Sequence, residues 1–294
     1  MRVRESKAVL FAGVLAVAAG AGWPAHIAGA ASSARAFPSQ AARDLLPEQS
    51  AARARELIQT AIQALGGKAY LEVRDLYRIG RLAQFSRTGE LSGYIRFYDY
   101  VKLPDKNRTE YSQKRNIIQV YTSQEGWELD RGGVQEAPPE SLERYQRGLK
   151  RDVDYLFRYR LNEEGMAFRY GGSDILDLKQ VEWIEVSDRD RLTLRVALDR
   201  STHLPIRAMY TYRDPATRLR VEEVEHFGNY HVIQGVRTPM QILRERNGVN
   251  YYQVFFEKYE YNVGLDDSLF TRASLEQAWA KLNKGKKTKE KNTP

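Results

Sequence analysis

Much of this chain repeats with a period of two. Leu192, Leu194, Val196 and Leu198 alternate with Thr193, Arg195 and Ala197. Ile206, Ala208, Tyr210 and Tyr212 repeat the pattern, as do Val236, Thr238, Met240 and Ile242. Val249 to Tyr261 continues it with Tyr251, Phe255 and Tyr259 at one set of positions and Tyr252, Val254 and Phe256 at the other. Successive side chains of an extended strand point to opposite faces, so this pattern dictates β-strands. Turn chemistry separates the runs: Arg87-Thr88-Gly89, Asp188-Arg189-Asp190, Arg213-Asp214-Pro215 and the hairpin pair Asn247-Gly248. Connections this short join antiparallel neighbours, because parallel strands need long crossovers.

Extended over the whole chain, the reading gives about ten strands. They fall near residues 73–85, 91–102, 106–113, 116–123, 126–131, 181–187, 192–198, 205–213, 219–228, 236–246 and 249–261. Gly171-Gly172-Ser173-Asp174 reads as a loop and Phe227-Gly228-Asn229-Tyr230 as a bend. Helical spacing appears at Ser50–Leu65, where Leu57, Ile58, Ala61, Ile62 and Leu65 form one apolar face that Gly66-Gly67 ends. Two more helices are expected after Pro138-Pro139, at Ser141–Leu149 and Val153–Leu161. A short one at Leu275–Leu282 follows a capping pattern at Ser274 and Gln277. So long a meander must curl, pair or close to protect its edges. The expected class is α+β: a strongly curved antiparallel sheet, an incomplete barrel, with helices packed on the concave side.

The ends read differently. Residues 1–30 look like a secretory signal peptide: Arg2, Arg4 and Lys7, then an apolar run from Ala8 to Gly22, then Ala28-Gly29-Ala30. That run is short for a membrane span. Residues 31–49 read as a disordered linker, residues 50–275 as the folded domain, and residues 276–294 as a short helix and a basic, solvated tail. The ends also dominate the charge. The net charge is +8, of which residues 1–30 carry +2 and residues 281–294 carry +5, leaving +1 for everything between. A nucleic-acid partner is therefore not expected, since that needs a basic face on the folded domain. The Lys281–Lys291 segment could instead meet an anionic membrane surface or an envelope protein.

No catalytic or metal set emerges. The chain has no cysteine, which rules out thiolate chemistry and disulfides and suits an oxidising exterior or periplasm. His203, His226 and His231 lack the spacing of a metal motif, and no nucleophile elbow or phosphate loop occurs. Glu222, Glu223 and Glu225 read as cross-strand ion-pair partners on a solvated face. No cofactor and no enzymatic activity are expected.

Four stretches carry a family resemblance: IQALGGKAYLEVRDLYRIGRL, LRVALDRSTHLPIRAMY, HFGNYHVIQGVRTPMQILRERNGV and YNVGLDDSLF. Their order and spacing, from Ser50 to Phe270, resemble the LolA/LolB-like superfamily of bacterial outer-membrane lipoprotein-sorting proteins. The resemblance implies an incomplete barrel over helices and a periplasmic carrier or chaperone. It would bind lipid or lipoprotein acyl chains in an apolar concavity. The alternating faces supply the lining residues expected for it: Ile95, Phe97, Trp127, Leu194, Val196, Ile206, Met240, Ile242 and Phe255. The rival expectation is an envelope scaffold with a filled core, meeting partners through a Tyr-rich face of Tyr252, Tyr259 and Tyr261.

Overall fold

A computed structural model of the chain describes residues 45–214 and 217–291. The expected signal segment and most of the linker lie outside the described residues. No helix among the described residues is long and apolar enough to cross a membrane.

Thirteen strands make one antiparallel sheet: β1 (Asp75–Phe85), β2 (Leu91–Lys102), β3 (Lys106–Tyr111), β4 (Ile117–Tyr121), β5 (Gly126–Asp130), β6 (Gly133–Glu136), β7 (Ala167–Leu176), β8 (Lys179–Ser187), β9 (Thr193–Asp199), β10 (Pro205–Arg213), β11 (Arg220–Ile233), β12 (Val236–Arg246) and β13 (Val249–Tyr261). The spatial order is β6-β5-β4-β3-β2-β1-β13-β12-β11-β10-β9-β8-β7. From β1 the chain steps outward to β6; from β7 it steps back inward until β13 pairs with β1. β6 and β7 are the two open edges, so the sheet is the expected incomplete barrel.

The class is α+β, but the count exceeds the expected total of about ten and adds two strands to the eleven ranges given for them. Both missed strands lack a legible period. β6 has four residues, GVQE. In β7 the Gly171-Gly172 pair, read as a loop, coincides with a register shift between Tyr170 and Gly172. β11 also runs straight through the expected bend. Its pairing with β12 continues on both sides of Asn229, whose φ of 53° supplies the local kink.

The helices are α1 (Pro47–Leu65), α2 (Lys68–Leu71), α3 (Pro139–Arg151), α4 (Val153–Tyr155) with a π-helical turn at Leu156–Arg160, and α5 (Arg272–Lys291). α1 begins inside the stretch read as linker, with Pro47 at its first position, where a missing N–H costs nothing. It lies against β7, β8 and β12 and buries Ala54, Leu57, Ile58, Ala61, Ile62 and Leu65 in the main core. Each large aliphatic side chain so buried contributes about 1.5–3 kcal/mol. Ser50 ties the helix to the sheet edge by accepting the Tyr170 backbone N–H at 3.0 Å. α1 ends at Gly66, where φ is 132° and a Cβ would stand 2.5 Å from the Gly235 carbonyl oxygen, so only glycine fits.

α5 lies on the opposite, convex face, against β5 and β6. It packs Leu275 and Trp279 with Ile118, Val120 and Leu129. It runs past Leu282 to Lys291, where composition had pointed to a solvated tail.

Candidate functional site

The topology dictates where a site can lie. β6 and β7 sit at opposite edges, so the segment joining them must cross the open sheet. That segment holds α3 and α4. Beneath it lies a cavity of about 100 Å³. Its floor is the inner face of the central strands: Leu76 and Arg78 from β1, Val101 from β2, Ile242 from β12, and Phe256, Tyr259 and Tyr261 from β13. Its roof is Tyr145, Leu149, Asp152, Val153 and Tyr155, and its inner end is closed by Leu65 and Tyr70.

A bulge makes this wall aromatic. β13 pairs with β1 as Lys258↔Ile79 and then Phe256↔Gly80, so Glu257 is an extra residue. One extra residue reverses the alternation beyond it. Tyr259 and Tyr261 therefore share the inner face with Val254 and Phe256, although simple counting sets Tyr259 against Phe256. The Tyr-rich partner-binding face of the rival expectation is thereby corrected: Tyr252 and Tyr261 are buried and Tyr259 lines the cavity.

Polar groups around the cavity are mostly occupied elsewhere. The Tyr70 hydroxyl donates to Asp154 Oδ1 at 2.7 Å, Tyr145 to the Asp105 carbonyl at 2.7 Å, and Tyr230 to the Pro205 carbonyl at 2.6 Å. Burial pushes the Tyr70 and Tyr230 phenols well above their ordinary range, so both stay neutral. Arg78 is held by Asp99, which it meets at 2.7 Å through Nε. Asp99 also accepts from Asn107 at 2.8 Å and Thr109 at 2.7 Å. Asp152 is the exception. It caps α4 by accepting the Tyr155 backbone N–H at 2.7 Å. Burial, with the neighbouring Asp154 charge, pushes its carboxyl up to about 6. Among the described residues, no group of three or more His, Asp or Glu is placed to hold a metal ion.

No protein-family model and no curated protein matches this sequence. Solved structures do match. A DUF1329 family protein from Desulfovibrio piger is 16% identical with a TM-score of 0.54, over 76% of this chain and 98% of that one. A putative outer membrane lipoprotein-sorting protein domain from Vibrio parahaemolyticus is 11% identical with a TM-score of 0.51, over 77% of this chain and 99% of that one. The chain has the LolA-like fold. Identities this low establish architecture and leave the chemistry to the residues.

Within this LolA-like sheet the nine expected lining residues separate into three groups. Ile242 lines the cavity. Ile95, Phe97 and Met240 pack in the adjoining cluster with Leu82, Val254 and Phe256, while Leu194 and Val196 are buried in the main core with α1. Trp127, Ile206 and Phe255 are on the other face. Trp127 pairs with Val120 and packs with α5. Ile206 sits at a register shift between Pro205 and Arg207, which moves it from the Ala208 face to the Trp183 cluster. Phe255 pairs with Arg81 and Gln241, between the inward Val254 and Phe256.

The residues missed are Tyr70, Tyr145, Phe227, Tyr230 and the inward acids. Glu223 and Glu225, read as solvated, are buried: they share the inner face of β11 with Phe227. The signal was there. Val221, Glu223, Glu225 and Phe227 are spaced by two, as are Met240, Ile242, Arg244 and Arg246 opposite them.

Proposed function

We propose that this protein is an exported, non-enzymatic carrier that holds an acyl chain of a lipid or lipoprotein between the sheet and the α3–α4 segment. The observation that carries this reading is the ring- and aliphatic-lined cavity directly beneath the chain that bridges the two open edges. The neighbour described as a lipoprotein-sorting protein domain supports it at the level of architecture. Burying hydrocarbon supplies the affinity, at about 0.8 kcal/mol per methylene. The lysine-rich Lys281–Lys291 segment would add attraction to an anionic membrane surface, and the periplasm is the compartment that fits.

The volume sets a condition. A cavity of about 100 Å³ is smaller than the roughly 300–1,000 Å³ of ordinary ligand pockets, so a chain enters only if a wall moves. α1 is locked: its six apolar contacts are all buried at or below 4% exposure. The α3 roof is the wall that yields, since it reaches the cavity through a few side chains, chiefly Tyr145 and Leu149.

The test is native mass spectrometry of the purified exported chain, with lipid extraction and an oleate uptake arm. Co-purified lipid, or oleate taken up at one per chain and lost in Ile242→Trp, supports the carrier. That variant fills the cavity without adding charge. A clean apo mass with no oleate uptake overturns it in favour of a scaffold with a filled core.

A further inference from the structure

Beside the cavity the interior turns cationic. Arg244 and Arg246 follow Ile242 on the inner face of β12, and Glu225 and Glu223 stand opposite them on β11. One step of two residues along a strand is about 7 Å, so the cavity wall continues directly into this cluster. From above, Arg144 and Arg151 face it, seven residues apart on one side of α3.

Glu223 is the hub. It is fully buried and accepts from the hydroxyls of Tyr210 and Tyr212 and from Arg246 Nη2, the last at 2.8 Å. Arg244 bonds Glu225 and stands 3.9 Å from Glu223. Four guanidinium groups thus meet two carboxylates. Asp152, the next acid, feels the fields of Arg78 and Arg244 but turns its oxygen to the Tyr155 N–H.

Arg151 shows the imbalance most clearly. It is 8% exposed, with its guanidinium 4.3 Å from the Tyr210 ring centre and 4.4 Å from that of Tyr212. Among the described residues no carboxylate forms an ion pair with it. The Nε atoms of Arg151, Arg244 and Arg246 and the Tyr251 hydroxyl are all buried without a hydrogen-bond partner. Buried donors and charges left in this condition are costly, and stacking on rings offsets only part of it.

We propose that this cluster is an anion site, receiving a carboxylate or phosphate group from Arg151, Arg244 and Arg246. The planar guanidinium fork matches both groups. Resting on the carrier reading, the anion is the head of a bound amphiphile whose chain occupies the neighbouring cavity. Burial lowers the pKa of Arg144, and nearby Arg147 and Arg246 add to the effect, whereas Glu223 and the neighbouring tyrosines raise those of Arg244 and Arg246 against their burial.

Calorimetric titration of the full chain with oleate, methyl oleate and inorganic phosphate tests it. Oleate should bind at least tenfold tighter than methyl oleate. Arg151→Gln should abolish that preference, and Arg151→Lys should retain part of it. Arg246→Gln, the more exposed of the two β12 arginines, gives the same comparison should Arg151→Gln unfold. Phosphate binding that Arg151→Gln weakens, with neither oleate form bound, would support the anion site with a free ion as its source and remove the carrier reading. Equal binding of oleate and methyl oleate, with no phosphate binding, would overturn the site and leave the carrier intact.

Discussion

Replacing Asp152 with Asn isolates a cavity carboxyl whose ionisation the fold opposes. Its pKa rises from 3.8 to about 6 because burial and Asp154 together outweigh Arg78 and Arg244. The sign follows from proton counting. Between those two values the unfolded chain has lost the proton and the native one keeps it, so stability falls as pH rises through this window. At ~1.4 kcal/mol per pH unit the ionised carboxylate costs roughly 3 kcal/mol above pH 6, an upper bound because Asp152 is only half-buried. Asn keeps the cap on the Tyr155 N–H, being as good an N-cap as Asp. The variant should therefore match the wild type near pH 4 and exceed it at pH 7.5. For a chain of this size, up to 3 kcal/mol corresponds to a gain of about 6–12 °C in Tm. Thermal unfolding of both proteins across this pH range measures the difference directly, and titrations common to both cancel. A gap that does not change with pH, or a less stable variant at pH 7.5, would refute the reasoning. The second result would mean that Asp152 is a compensated partner of Arg78 and Arg244.

Two further substitutions separate packing from ion pairing. Phe97 is fully buried over Gly80, where a Cβ would meet its ring at 2.8 Å, and it does not line the cavity. Phe97→Ala should cost about 3–5 kcal/mol in urea unfolding while leaving acyl-chain affinity unchanged below the transition. Glu223→Gln leaves Arg244 and Arg246 without their shared acid and should cost about 3–5 kcal/mol at pH 7. Arg244 and Arg246 hold the Glu223 carboxyl below its ordinary 4.5 against the opposing effect of burial. That deficit should be complete above pH 4.5 and close as acid protonates the native Glu223, which acid-titrated unfolding of the pair would follow.

The architecture was legible because it depends on a period. Runs such as Leu194-Val196-Leu198 and Val236-Thr238-Met240-Ile242 can bury one face only as strands, and short turns leave no parallel alternative. Face assignment failed where the count slips by one. Ile206 and Glu257 each occupy a bulge, and nothing local in either residue announces it. The Tyr259–Tyr261 end of β13 thus moved indoors while Ile206 moved out. Chemistry misled in the opposite way at Glu223 and Glu225. Their charge suggested solvent, yet their parity with Val221 and Phe227 pointed inward, and the arginines opposite had the same parity. Pairing across strands, which a single strand's sequence does not show, decided the matter.

The same connection that roofs the cavity also carries two of the four guanidinium groups beside it. Because β6 and β7 end at opposite edges, the chain between them must bridge the concavity, and α3 lies on that bridge. Tyr145 and Leu149 of α3 face the cavity, whereas Arg144 lies near Arg246 and Arg151 stacks on the Tyr210 and Tyr212 rings, whose hydroxyls bond Glu223. Lifting α3 to admit a chain would therefore draw Arg144 away from Arg246, relieving their repulsion as it opens the apolar wall. An anion arriving at Arg244 and Arg246 would reverse that balance and favour the return of Arg151. Apolar burial alone would hold a tail equally well whatever head it bore. With the cations on a wall that lifts, closure would depend on the head, so discrimination by charge should appear mainly as slower release of the acid than of its neutral ester.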